Sequence, residues 1–567
     1  MASFRTPFDT AIQSVTQSGA PFEIARAKFA GIEYLHYVNA PTTLTELLAA
    51  GRGHGDKEFI VYQQERWSFA EFYDQADRLA AQLTDAFKIK PGERVAIAMR
   101  NYPEWLSAFV AITSIGAVVV PINSWGQAAE LHQNLADAAV TLVICDEARL
   151  NLIDPTTHPI AAIVARATQT NLPAGCHHFS EVINRPAPHG DRPDLPIIDS
   201  EATAMIMYTS GTSGVPKGAL FSHRNCCQAI INFEAVGAAV YMTNVEAYTQ
   251  HAARGVPSKT LLTVPLFHVS GLLAQFLLIL RGGRTLVMMY KWDPFIACQL
   301  IAEEKISVVI AAPSMLLELI ENDEFARIDA DNIIAMSGAG AATPPRLRQL
   351  IETKVQSALP GAGWGMTETG AAGTSFTGQF IQHKPGSCGF LNPIVELRFF
   401  DDQTNEVAKG EPGEIWIKSP TVISGYCNAP DANQEEFTDG WFKTGDIGFL
   451  DEDDCLYICD RAKDMVIRGG ENIYPIEVEN CILSIPGVIR VAAFGIPSER
   501  FGEELAAVIQ QAPAGEPILT EQHIQTYCRT RLAGFKIPSQ IKFTTAEFPV
   551  NPTNKVLKKQ LREQFYP

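Results

Sequence analysis

The sequence predicts an α/β fold with parallel, doubly wound sheets, then a small β-rich subdomain and a last α+β segment. Three observations carry this. Short apolar runs at 94–99, 117–122, 140–145 and 204–208 alternate with helical stretches at about 103–115 and 128–137, the spacing of βαβ units whose strands are buried on both faces. The alternation resumes with apolar runs near 261–265, 284–289, 308–312 and 332–337. From 386 to 417 the pattern changes to short strands and turns. Past residue 460 there remain roughly 105 residues, enough for a small domain.

Taken in order, residues 1–40 carry weak helical patterning and no nameable chemistry. Ser68-Phe-Ala-Glu71 reads as a capping box, with Phe72, Leu79 and Leu83 recurring behind it at helical spacing. Pro91-Gly92 closes that connection, and Pro103 opens the next helix. Residues 166–200, rich in Pro, His, Asn and Asp, read as a surface connection. Leu261 to Leu280 holds no full charge, but Pro265, His268, Ser270, Gly271 and Gln275 interrupt it. A buried strand, a turn and a buried helix explain that stretch better than a membrane span.

With 567 residues the chain exceeds what one core supports, and roughly three or four structural units are expected. A net charge of −18 with no long basic run argues against nucleic acid or an anionic membrane as main partner. Phosphate binding must then rest on local cations. Eleven cysteines, from Cys145 to Cys528 and without Cys-x-x-Cys spacing, read as reduced thiols of a cytoplasmic protein. Cys455 and Cys459 are spaced most like a metal pair but lack companion ligands. No apolar signal segment follows Met1.

The stretch that organises the chain is Thr209-Ser210-Gly211-Thr212-Ser213-Gly214, followed by Pro216 and Lys217. It leaves an apolar strand where a doubly wound sheet places ligands. Gly-rich backbone there forms an anion nest, to which four hydroxyls and one ammonium add donors. The loop suits polyphosphate. It is not a Walker loop, because Lys217 follows Pro216 rather than Gly.

This loop resembles the phosphate-loop signature of the adenylate-forming superfamily, and six further stretches resemble that family's motifs in family order. Pro265-Leu-Phe-His268-Val-Ser-Gly271 is similar to its carboxylate-pocket motif; His268 stands where the amino-acid-activating branch has an aspartate. Without that anion an ammonium's desolvation is uncompensated, so an acid lacking an α-amine is expected. Gly338-Ala339-Gly340-Ala341 resembles the wall of the adenine and acyl sites, with Gly338 and Gly340 also facing the acid. In Gly363-Trp364-Gly365-Met366-Thr367-Glu368 the resemblance implies adenine stacking by Trp364, where Tyr is usual. It implies an α-phosphate contact from Thr367 and Mg²⁺ at Glu368, with Thr212 as a second metal contact. A hydroxyl donor beside a hard carboxylate suits those partners.

Asp446, in Gly440-Trp-Phe-Lys-Thr-Gly-Asp446, stands at the position that accepts both ribose hydroxyls. In the stretch from Asp460 to Pro475, the family implies a ribose or phosphate contact from Arg461 and a hinge at Lys463. Gly469 and Gly470 stand at a thiol (CoA) tunnel. Lys555, preceded by Asn554 where the family has Gly, matches the terminal catalytic lysine. The implied catalytic set is Lys555, His268, Thr367 and Glu368.

The resemblance implies a large N-terminal domain, residues 1–460, and a mobile C-terminal domain, residues 461–567. The implied reaction joins a carboxylic acid to the α-phosphate of ATP with Mg²⁺, releasing pyrophosphate, and then passes the acyl group to coenzyme A. A fatty acid is favoured and an aryl acid second. Other readings are transfer to a carrier-protein pantetheine, a luciferase-like oxidation, and a non-catalytic nucleotide-binding regulator. Chain length of the acid, the acceptor and oligomeric state, a homodimer included, are left open.

Overall fold

The computed structural model describes residues 4–186, 196–209, 216–339, 343–469, 471–511, 519–551 and 554–566. Two large mixed sheets make the body. In the first, six parallel strands run Thr203–Thr209, Val118–Pro121, Arg94–Ala98, Leu142–Asp146, Ala161–Ala165 and Cys176–His178 across the sheet, with Lys217–Ser222 antiparallel at one edge. The second has nine strands, and its parallel centre includes Lys259–Leu262, Thr285–Met288, Val308–Ala311 and Ala335–Gly338. The apolar runs therefore form the strands expected of them.

The two sheets are interleaved in sequence rather than successive. Strand Glu58–Tyr62, which precedes every strand of the first sheet, pairs with Thr285–Met288 of the second. Ser68 and Glu71 form the capping box in full, and the helix Phe69–Asp85 buries Phe69, Phe72, Leu79 and Leu83. Much of one core lies between the sheets, with Phe59, Phe72, Trp105, Phe109 and Phe276 among its members. At roughly 25 cal/mol per Å² these large rings carry much of its burial energy.

Two local expectations give way. Residues 1–40 hold a helix, Thr6–Thr16, and a hairpin, Ile24–Phe29 with Ile32–Tyr37. Its two-residue turn, Ala30-Gly31, has φ of 49° and 84°, the twist a tight hairpin requires. The surface connection at 166–200 contributes a strand, Cys176–His178, and a helix, Phe179–Ile183.

In the stretch 261–280, strand Lys259–Leu262 passes through a turn into helical residues 269–281, with a π-helical run at Leu272–Leu277. Among the described residues no helix is long and apolar enough to cross a membrane. A five-stranded sheet (Glu396–Phe400, Gly413–Lys418, Phe437–Thr438, Trp441–Leu450 and Leu456–Arg461) follows. A last sheet begins at Val466 and has its own apolar core around Ile482, Leu505 and Ile524. All eleven cysteines are free.

Candidate functional site

Strand Thr203–Thr209 and the returning strand Lys217–Ser222 set Thr209 opposite Lys217. Ser210, Gly211, Thr212, Ser213 and Gly214 lie outside the described residues, as do Gly340, Ala341 and Gly470. The Lys217 ammonium is paired with the Glu436 carboxylate and lies 4.6 Å from the centre of the Tyr426 ring. The Tyr426 hydroxyl lies 2.9 Å from Glu436 Oε2 and 3.1 Å from Glu368 Oε1. One hydroxyl proton faces two carboxylates. Burial pushes the Glu368 carboxyl above its ordinary range, while backbone bonding, Tyr426 and Arg461 pull it back. A buried, hard oxygen acceptor of this kind fits Mg²⁺, which takes one or two carboxylates and completes its shell with phosphates and water.

Asp446 sits near the middle of strand Trp441–Leu450, next to Leu456–Arg461. Its register partner Arg461 brings Nε to 2.9 Å from Oδ1, while the Trp364 indole N–H donates to Oδ2 at 2.8 Å. Each carboxylate oxygen retains a second lone pair, so the group can still accept two hydroxyls. The Trp364 indole N–H is thus committed to Asp446, and the ring's faces carry the aromatic surface. A Cβ on Gly373 would lie 2.6 Å from the indole ring, so only glycine lets the chain pass there. Thr367 and Glu368 open the short helical turn Thr367–Thr369, behind the strand that ends at Trp364. Gly363, Gly365 and Met366 flank them, and Met366 packs partly against the main core. The Ala339 N–H donates to Ala311 O at 3.0 Å, which ties the wall segment from Gly338 to the neighbouring strand.

His268 caps the helical residues after Leu266 and Phe267, and its Nε2 is buried without a partner among the described residues. Burial pulls the imidazole down to about 4, so it is neutral at physiological pH. Gly271 is obligatory here: a Cβ would stand 2.4 Å from Pro265 O. Asn101, at the end of strand Arg94–Ala98, clamps the loop by donating to Val264 O at 3.0 Å and accepting from Leu266 N at 3.1 Å. The sequence reading missed it, although it lies at the strand end where ligands gather.

Lys555 comes from the last sheet's side of the molecule. It lies in a hairpin-like turn in which Val550 and Val556 pair and Asn551 bonds Lys555 in both directions. Surrounding protein and the Arg461 guanidinium pull its ammonium down to about 8, against Asp446 and Asp464, although water still reaches the side chain. The charges that act on it come from Arg461, Asp446, Asp464 and Lys558. Lys558 is committed elsewhere, 2.7 Å from Glu479. Lys463 is exposed on the turn between Arg461 and Val466, and Gly469 takes φ of 60° at the next hairpin. Glu436 and Tyr426 were not foreseen, since Glu436 lies far along the chain from Lys217.

Residues 47–427 match the AMP-binding enzyme family, and residues 477–555 match the AMP-binding enzyme C-terminal domain. A long-chain-fatty-acid–CoA ligase from Mycobacterium tuberculosis is 34% identical over 505 residues, covering 88% of this chain and 93% of the relative. A feruloyl-CoA synthase from Amycolatopsis is 31% identical over 498 residues, 88% and 94% of the two chains. The solved structure of o-succinylbenzoate CoA synthetase from Bacillus subtilis, with its acyl-adenylate intermediate, superposes with a TM-score of 0.74. That match has 27% identity and covers 91% of this chain and 97% of the other. The resemblance read from the motifs is borne out: this chain belongs to the AMP-binding enzyme family.

Proposed function

We propose that this protein is an AMP-forming acid–CoA ligase. It activates a carboxylic acid without an α-amine as its acyl-adenylate and then forms the acyl-CoA thioester. The observation that carries this reading is the buried Asp446 carboxylate held by Arg461 and Trp364, with Asp446 and Arg461 among the charges that act on Lys555 and Arg461 among those that act on Glu368. Relatives named for a fatty acid and for an aryl acid support the substrate class. A fatty acid comes first, because the pocket segment around His268 is apolar.

In the first step a carboxylate oxygen of the acid attacks the α-phosphorus of ATP, and the bond to pyrophosphate breaks. Such a displacement depends mostly on positioning and charge neutralisation. Asp446 accepts the ribose hydroxyls, the indole of Trp364 supplies a face for adenine, and Lys217 with the loop from Thr209 binds phosphate. Thr367 donates to the α-phosphate, and the Lys555 ammonium spans the carboxylate and α-phosphate as charge shifts. Glu368 would hold Mg²⁺, which would neutralise charge at the phosphates. Neutral His268 lies at the carboxylate's pocket without offering an anion to an amine.

In the second step the thiol sulfur of coenzyme A attacks the acyl carbonyl, its proton passes to solvent and AMP leaves. We propose that the C-terminal domain, residues 461–567, turns about Lys463 between the steps and brings Gly469 and Gly470 to the thiol's path. Eleven free thiols support a cytoplasmic setting.

The test is CoA-dependent AMP release from ATP and Mg²⁺ across acids from acetate to oleate, with benzoate, cinnamates and amino acids, and Lys555→Ala as control. Turnover that requires CoA, peaks on one apolar acid and vanishes in the control is expected. Adenylate formation indifferent to CoA, or turnover only on amino acids, would overturn the reading.

A further inference from the structure

Asn554 precedes Lys555 and takes φ of 63°, a left-handed angle that asparagine tolerates better than most residues. Glycine would hold that angle without cost, so the backbone alone does not call for asparagine. The side chain has its own work. Asn554 Nδ2 donates to Ser314 Oγ at 2.9 Å and faces Glu318 Oε1 at 3.4 Å, while Arg490 Nη2 donates to Asn554 Oδ1 at 3.2 Å. The same Arg490 nitrogen lies 2.8 Å from Glu318 Oε1, and the Trp292 indole N–H donates to Glu318 Oε2 at 2.9 Å.

Ser314 and Glu318 lie one turn apart on helix Pro313–Ile320 of the large body. That helix follows the strand whose end holds Ala339. Arg490 lies on strand Val488–Ser498 of the last sheet. Glu318 is thus a hub on one body that receives two side chains from the other, and one of those two is the immediate neighbour of Lys555.

We infer that Asn554, docked on Ser314 and Glu318 and braced by Arg490, is a positioning residue that latches the C-terminal sheet in the orientation that presents Lys555 to the Asp446 site. This rests on the proposed role of Lys555 in adenylation. A latch of partly buried polar contacts holds one orientation without making it permanent, because each contact is exchangeable with water. It acts on one half-reaction only, since thioester formation requires the sheet to leave.

The experiment uses the full-length chain, comparing wild type with Asn554→Gly, Glu318→Gln and Lys555→Ala. One measurement is acid-dependent ATP–pyrophosphate exchange; the other is thioester formation from supplied acyl-adenylate and CoA. Asn554→Gly keeps the turn's angle and removes the dock. Exchange is expected to fall about tenfold in kcat with the KM for ATP within about twofold, and thioester formation to stay within about twofold. That second half-reaction doubles as the folding control. Glu318→Gln is expected to follow the same pattern more weakly. Equal loss in both half-reactions, or unchanged exchange in Asn554→Gly while Lys555→Ala loses it, would overturn the latch. Exchange that survives in Lys555→Ala would instead defeat the reading on which the latch rests.

Discussion

The lowered affinity of Lys555 for its proton makes a quantitative demand on adenylation. If the ammonium is the working form, kcat/KM for the exchange reaction follows the protonated fraction of the free enzyme. With the group at about 8, that fraction falls about 25-fold between pH 7.5 and 9.5, whereas an ordinary lysine would lose only about a tenth of its protons. Binding the nucleotide's phosphates favours the charged form and shifts the limb upward in kcat. The assay is exchange measured across pH 6.5–10 at constant ionic strength, with Lys555→Arg alongside. Arginine stays charged, so its residual activity is expected to lose the alkaline limb. A profile flat to pH 9.5 in wild type, or a limb unchanged in Lys555→Arg, would refute the assignment. Stability should move the opposite way. Because folding depresses this group, its charge opposes folding below about pH 8, and the penalty recedes as pH rises towards the unfolded lysine's range.

Other residues give separate tests. Asp446→Asn removes the charge that pairs with Arg461 and receives the Trp364 N–H; the KM for ATP should rise about tenfold to a hundredfold, and an unchanged KM would remove Asp446 from the nucleotide site. Glu436→Gln releases Lys217 from its ion pair, so the KM for ATP should fall by about two- to fivefold, whereas a rise would make Glu436 a support of the loop. Gly271→Ala forces a methyl against Pro265 O, and thermal-shift midpoints should drop in line with about 1–3 kcal/mol of overpacking, with turnover falling as His268 is displaced.

Most of the body was legible because its strands are short apolar runs buried on both faces, a pattern that local sequence carries. The hairpin at 24–37 escaped because its faces are half-exposed and its alternation is faint. The interleaving of the two sheets could not be read locally, since the pairing of Glu58–Tyr62 with Thr285–Met288 joins distant segments. At the site, Trp364, Glu368, Asp446, Arg461 and Lys555 stood out because their chemistry lies within compact motifs. Asn101, Tyr426, Glu436 and Glu318 act through partners far along the chain, and nothing in their own surroundings marks them. Asn554 was visible only as a departure from the family pattern; its contacts turn that departure into a hypothesis.

The most direct test of the proposed chemistry follows the oxygen. A substrate acid labelled with ¹⁸O at both carboxylate oxygens is incubated with ATP, Mg²⁺ and CoA, and the products are analysed by mass spectrometry. Attack of the carboxylate on the α-phosphorus predicts one ¹⁸O in AMP for each thioester formed and none in pyrophosphate. Label in inorganic phosphate, or unlabelled AMP beside labelled thioester, would contradict an acyl-adenylate route.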